Sequence, residues 1–447
     1  MKSKIIIKLL IALTLFCISS NVIYAQPLIS TDSNNVKIEW LRNNVIQIKS
    51  VDPDDENYSD LDLITSKIGK SRVVLLGEQS HGDGTTFLVK TRLIKFLVKK
   101  MGFDVLLFES GLYDCEKINE FLKNGDTAIS AIRKGIFSIW NQSEQFQPLV
   151  KFIDENRTSL QIGGIDCQFT GTASKEFFIS DLEKFLKSQN ILVSNYSNWP
   201  QVKIALKNIS EQIFMKPKPQ PPTIDQQKDC FKTLESIIET LQGLPSDSKT
   251  NFWKQILKSS MQQAKSIWLE YGISDFNEIP VEILNIRDFQ MGDNLIWQAL
   301  TNYPNKKIIV WVASSHAARN HQKIEAIGNK NWYKGYISMG EIAYNKLGDE
   351  IYIIGFTAYE GSGGLAHKQY TWTIEKPLPN SLEELLFKTN YENCFLDFRK
   401  ITPSGKWLEQ NIISRPFGYA NMISNLTQNM DGIIFTRKMI PSTSISK

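Results

Sequence analysis

Glu78 and His81 stand three residues apart in the run Gly77-Glu78-Gln79-Ser80-His81-Gly82. Histidine is the side chain best able to take a proton from water near neutral pH and return it to a leaving group. A carboxylate beside it fixes the ring tautomer and stabilises the imidazolium as it forms. The 447-residue chain has only four histidines, His81, His316, His321 and His367. His81 and His316 follow closely on short apolar runs, as do Glu109 and Asp166; His321 and His367 are expected at the surface. These types suit hydrolysis by an activated water. His81 is the expected general base and Glu78 its orienting partner. Glu109 and His316 are expected to position water and stabilise developing charge. Lys90, Arg287 and Asp166 are the candidates for substrate binding or oxyanion stabilisation, Asp166 also for capping the segment after it.

Other chemistries fit less well. Ser80, Ser314 and Ser315 lack the G-x-S-x-G elbow that would present a nucleophilic hydroxyl. Gly69-Lys70-Ser71 lacks the earlier glycine of a P-loop and precedes its strand instead of following it. A metal remains an open alternative, because Glu78-x-x-His81 with Glu109 and His316 offers a mixed carboxylate and imidazole ligand set. No cofactor is required by the water-activation reading.

To bring residues so far apart in sequence together, the fold must gather strand ends. Five apolar runs end abruptly in polar or small residues: Val73 to Leu76, Val105 to Phe108, Gln161 to Ile165, Ile308 to Ala313 and Ile351 to Phe356. Their length and lack of alternation suit strands buried on both faces. Helical spacing links them, with Phe87, Leu93, Phe96, Leu97 and Met101 before Gly102, then Phe146, Leu149, Val150 and Ile153. The pattern predicts an α/β fold, a mostly parallel central sheet with helices on both faces. Residues 174 to 300 read as a helical insertion broken by Pro217, Pro219, Pro221 and Pro222. Its aromatic residues Trp253, Trp268, Tyr271 and Trp297 suit either an apolar pocket or core. Gly361 to Gly364 is expected to be a turn. In an open parallel sheet, ligands bind beyond the carboxyl ends of the strands, so Glu78, His81, Glu109, Asp166 and His316 are expected in one crevice.

Composition narrows the partners. Residues 1 to 25 show a basic start, an apolar stretch from Ile5 to Ile18 and a polar approach to Ala25, the regions of a secretory signal peptide. Its removal takes away Lys2, Lys4 and Lys8, so the 51 basic residues of the full chain become 48 against 47 acidic. A net charge so near zero gives no field for nucleic acid or an anionic membrane. No later segment reaches membrane-spanning length without charge. The expected organisation is a cleaved leader, 1–25, and one hydrolase domain, 26–447, in the periplasm or secreted. Cys115, Cys167, Cys230 and Cys394 are widely spaced, which suits buried free thiols.

Several motifs together resemble the erythromycin esterase family: LLGEQSHG at Leu75 to Gly82, DVLLFESG at Asp104 to Gly111, GGIDCQ at Gly163 to Gln168, RDFQMGDN at Arg287 to Asn294, VWVASSH at Val310 to His316, and SMGEIAYNKLGDEIYIIGFT at Ser338 to Thr357. The resemblance implies metal-independent hydrolysis of a small-molecule ester, with His81 activating water, Glu78 as its carboxylate, Glu109 ending the second strand, and His316 as the second histidine of the fourth strand motif. The family's macrolide esterases tend to carry a histidine where Ala313 stands and an arginine where Lys90 stands, departures that bear on macrolides as substrates. A group similar in the first motif includes metal-dependent peptidases and haem-binding lipoproteins. A metal-dependent hydrolase, or a non-catalytic binder of haem or another apolar ligand, therefore stays open at this point.

Overall fold

The computed structural model describes residues 31–328 and 333–445. The expected leader lies outside the described residues. Among the described residues twelve strands follow in order: β1 (Ile46–Gln47), β2 (Val73–Glu78), β3 (Val105–Gly111), β4 (Gln161–Asp166), β5 (Ile308–Ala313), β6 (Glu325–Ala326), β7 (Ile351–Leu365), β8 (Tyr370–Ile374), β9 (Asn393–Asp397), β10 (Ile412–Ser414), β11 (Met422–Ser424) and β12 (Gly432–Met439). The main sheet runs β1-β9-β12-β7-β2-β5-β3-β4, with β8 paired to β7. From β4 across to β12 every pairing is parallel. Antiparallel pairs occur where β9 meets β12 and β1, and where β8 folds back on β7. All five apolar runs are strands, so the mostly parallel expectation holds.

Alternation along these strands builds two cores. Val74, Leu76, Leu106, Phe108, Ile309 and Trp311 pack on one face with Phe87 and Phe96 of the helix Gly84–Met101. Val73, Leu75, Val105, Leu107, Ile308 and Val310 pack on the other with Met291 and Leu295 of the helix Val281–Trp297. Each inward side chain serves one layer because successive residues of a strand point to opposite faces. The first helix ends where expected, at Gly102, whose φ of 70° is a left-handed conformation natural to glycine.

Between β4 and β5 the chain is helical from Thr172 to Trp297, interrupted by loops. This insertion has its own core, in which Trp253 stacks on Phe178 and Phe185 and is nearly buried. Trp253 is thus a packing residue. The insertion also closes the sheet edge at β4. Asn294 and Gln298 donate to the carbonyls of Ile165 and Gly164, and from outside the insertion Asn119, on the helix Leu112–Lys123, pairs with both the N–H and the C=O of Ile162. Side-chain amides thus take the hydrogen bonds another strand would have taken.

Two expectations need correction. Gly361 to Gly364 is not a turn but part of β7, paired to β8, and the Gly364 N–H donates to Gly82 O at 2.9 Å. His321 is fully buried, its ring packed against Tyr333, Tyr336 and Phe417. His367 is half-buried. His321 is not a surface histidine, because its segment folds under the rings of Tyr333, Tyr336 and Phe417. The four described cysteines are free and buried.

Candidate active site

β2 delivers Glu78 on the same face as Val74 and Leu76, toward the helix Gly84–Met101. There the carboxylate is fully buried and held on both oxygens. Oε1 lies 3.1 Å from His81 Nδ1 and accepts from Trp140 Nε1 at 3.0 Å, while Oε2 pairs with Lys90 Nζ. Lys90 also donates to Val312 O at 3.1 Å and lies over the Trp311 ring. Lys90 is 0% exposed. The expectation that it binds substrate is therefore corrected: burial leaves it no face toward the cleft, and it neutralises and holds Glu78. With Glu78 ionised beside Nδ1, the ring's proton belongs on Nδ1 and Nε2 is left as the base.

β3 and β5 bring the second group. The register between β3 and β4 slips by one residue between Phe108 and Gly111, a bulge of the kind that re-aims a side chain at a site. Gly164 of β4 has to be glycine here: a Cβ would lie 2.5 Å from the carbonyl oxygens of Ser110 and Gly111. Glu109, at this bulge, accepts from the Ala313 N–H at 2.8 Å and from Arg287 Nη2 at 3.1 Å, and lies 3.4 Å from His316 Nε2. Burial works to raise its pKa, but His316, His81, Arg287 and the Ala313 N–H outweigh burial and hold it down to about 2. The resulting carboxylate is permanently charged under ordinary conditions.

Arg287 and Asp288 come from one turn of the helix Val281–Trp297. Arg287 grips Asp166 through Nε at 3.1 Å and Nη2 at 2.6 Å, and turns Nη1 to His316 Nε2 at 3.1 Å. Asp166 is buried behind it at 1% exposure, so its expected substrate contact is corrected to that of an anchor for Arg287. His316 Nδ1 lies 2.8 Å from Asp288 Oδ1, which also accepts from the Met339 N–H; Tyr336 OH donates to Oδ2 at 2.7 Å. With Nδ1–H given to Asp288, a neutral ring accepts from Arg287 at Nε2. A protonated ring turns the same nitrogen into a donor toward Glu109.

The two imidazoles are driven apart. Burial lowers the pKa of His81, Glu109 opposes this, and the charges of His316 and Arg287 lower it further. His316 is also penalised by burial, but Asp288 and Glu109 overcome it and the net shift is upward. A base and an acid with separated pKa values in one cleft is the arrangement acid–base catalysis needs. The side chains of His81 and His316 remain 16% and 13% exposed and that of Arg287 22%, so these three keep some access to solvent.

Sequence reasoning placed Glu78, His81, Glu109, Asp166 and His316 in one crevice, and the structure brings them together with Arg287, the candidate for oxyanion stabilisation. It missed Asp288, although that residue follows Arg287 in the same motif, and it missed Trp140 and Tyr336. Ser314 spends its hydroxyl on Pro416 O at 2.6 Å. Among the described residues, no group of three His, Cys, Asp or Glu side chains is placed to hold a metal ion. The oxygens of Glu78 and Glu109 are already engaged by Lys90, Trp140, Arg287 and Ala313.

Residues 98–439 match the erythromycin esterase family. The chain belongs to that family. It is 26% identical over 415 residues to the Bacillus subtilis (strain 168) protein named "Putative hydrolase YbfO", covering 88% of this chain and 90% of that one. It is 23% identical over 442 residues to erythromycin esterase type II of Escherichia coli, covering 90% and 97% of the two chains. A Bacillus cereus crystal structure superimposes with a TM-score of 0.72 at 18% identity over 92% of this chain and 99% of that one. The erythromycin esterase EreC in its open conformation gives 0.65 at 15% identity, over 89% and 98%. At these identities the structures establish a shared fold. Within this erythromycin esterase family member, the matched region contains Glu109, Asp166, Arg287, Asp288 and His316, while Glu78, His81 and Lys90 precede it. Among the described residues no helix is long and apolar enough to cross a membrane.

Proposed function

We propose that this protein is an exported, metal-independent carboxylic ester hydrolase with a single catalytic domain over residues 26–447. One observation carries the reading: two imidazoles share a cleft, His81 held by Glu78 with its pKa lowered and His316 held by Asp288 with its pKa raised. His81 Nε2 takes a proton from water as the water oxygen attacks the ester carbonyl. The oxyanion that forms is met by His316 Nε2–H and Arg287 Nη1, groups that Glu109 and Asp288 keep aligned. His81 then returns its proton to the departing alkoxide, leaving the carboxylic acid and the alcohol.

The test is the rate of ester hydrolysis by the purified chain, with metal analysis of the same sample and a chelator arm. Turnover retained after chelation supports the proposal; a rate that disappears with the metal and returns on its addition contradicts it. Export is supported by the three-part leader of residues 1–25 and is tested by sequencing the N-terminus of the protein from its native cells. An N-terminus near Gln26 is the expected result, and an intact Met1 would contradict it.

A further inference from the structure

The loop that carries His81 is held from beyond the strand ends. β7 loses its last register partner on β2 at Gly355, yet it continues to Leu365 and pairs with β8 on the way back. This overhang reaches the loop that follows β2. The Gly82 carbonyl, one residue beyond His81, accepts from the Gly364 N–H of β7 and from the Ser442 N–H, both at 2.9 Å. Ser442 lies in a segment whose Ile440 carbonyl accepts from the Gly84 N–H and whose Thr443 carbonyl accepts from the Glu144 N–H, again at 2.9 Å. The second of these ties reaches the stretch just after the helix Ser138–Asn141, which carries Trp140, a hydrogen-bond donor to Glu78. One side chain closes the same spot. Trp372 of β8 stands opposite Gly363 in the register, and a Cβ on Gly363 or on Gly82 would run into its ring. The indole thus lies on the backbone of both glycines. Tyr370 stacks on it with centroids 5.9 Å apart, and Ala358, Ile374 and Met439 pack against it.

We propose that Trp372 is a positioning residue for His81: its indole, pressed on Gly82 beside the two N–H groups on the Gly82 carbonyl, holds the imidazole against Glu78. This rests on the ester hydrolase reading above, in which His81 takes the proton from water. Two backbone donors fix the Gly82 carbonyl but leave the loop free to pivot about it; a ring on the Gly82 Cα removes the pivot. His81 Nδ1 lies 3.1 Å from Glu78 Oε1, toward the long end of the hydrogen-bond range, so a small rotation of the loop breaks the contact. Around the imidazole the charged or titratable groups are Glu78, Glu109, His316, Arg287 and, from the segment between β7 and β8, His367. His367 is held down to about 4 by burial and by Lys368, so it is uncharged at neutral pH. Burial is what lowers His81 most. A loop released outward hydrates the ring, and its pKa then rises toward the ordinary imidazole value.

The experiment follows the histidine ring signals of the purified full chain by NMR titration, with His81 and His316 assigned from the signals lost in His81→Gln and His316→Gln. In Trp372→Ala the His81 pKa should rise toward about 6.5, while His316, held by Asp288 from a different helix, should move less. In the same variant kcat for phenyl butyrate should fall roughly 10- to 100-fold with KM changed by no more than about twofold, as a misplaced base produces and a lost substrate contact does not. Trp372→Phe keeps a ring opposite Gly363 but a shorter one, so it should show the same changes in smaller measure; it carries the test if Trp372→Ala does not fold. An unmoved His81 pKa in the folded variant, a rise matched by an equal shift of His316, or an undiminished kcat beside an active wild type overturns the proposal. The titration needs no turnover. A wild type without esterase activity therefore sinks the hydrolase reading, while the shift of His81 still decides the role of Trp372.

Discussion

His316 Nδ1 lies 2.8 Å from Asp288 Oδ1, and the other oxygen of that carboxylate is fixed by Tyr336 OH at 2.7 Å. Asp288 therefore presents one oriented lone pair to the ring. This contact, together with Glu109, lifts His316 above the ordinary imidazole value despite burial, while His81 is held below it. The opposed shifts make the first prediction a pH profile. Activity needs His81 neutral and His316 protonated, so kcat/KM should fall on the acid side as pH drops through the lowered value of His81. It should fall on the alkaline side as pH rises through the raised value of His316. A bell with its top spanning the ordinary imidazole range, about 6.5, is expected. A single limb centred there would show that one of the two groups is not involved.

Replacing Asp288 by Asn removes the charge that raises His316 while keeping a hydrogen-bonding side chain. The alkaline limb should move to lower pH and the acid limb, which belongs to His81, should stay. Movement of both limbs together would mean that the variant has disturbed the whole cleft.

Lys90→Met should reveal how Glu78 is kept in place. The lysine is fully buried against a fully buried carboxylate, and removing one partner of such a pair typically costs about 3–5 kcal/mol because the other charge is left uncompensated. Denaturant unfolding should show that loss, and kcat should fall with it as Glu78 reorients. Unchanged stability would contradict the assignment of Lys90 as the counter-ion.

Gly164→Ala tests the bulge. The added methyl meets two carbonyl oxygens at 2.5 Å, so the backbone of Ser110 and Gly111 must shift, at a cost of about 1–3 kcal/mol. Glu109 sits on the same bulge and should lose its contact with the Ala313 N–H. Activity should drop more than stability alone explains, measured as kcat/KM well below the unfolding midpoint.

The strands were legible because their residues are buried on both faces, which leaves an unbroken apolar run in the sequence and a polar residue where each run meets the cleft. Parallel order then implied that Glu78, Glu109, Asp166 and His316 share an edge. Lys90 was harder to read. A lysine in a helix normally faces solvent, and only the partner buried opposite it, Glu78, explains why this one is at 0% exposure. Asp288 was missed because its role depends on which face of the helix Val281–Trp297 turns to His316, a tertiary fact that spacing does not record. His321 was misplaced for the same reason: Tyr333, Tyr336 and Phe417, which cover it, come from other segments.

The central claim is that His81 deprotonates water in this cleft. Its most direct test is kcat/KM for phenyl butyrate in the wild type and in His81→Gln, with circular dichroism confirming that both are folded. A fall of roughly 100- to 10,000-fold is predicted, the range that loss of a general base produces. Equal rates in two folded proteins would contradict the mechanism.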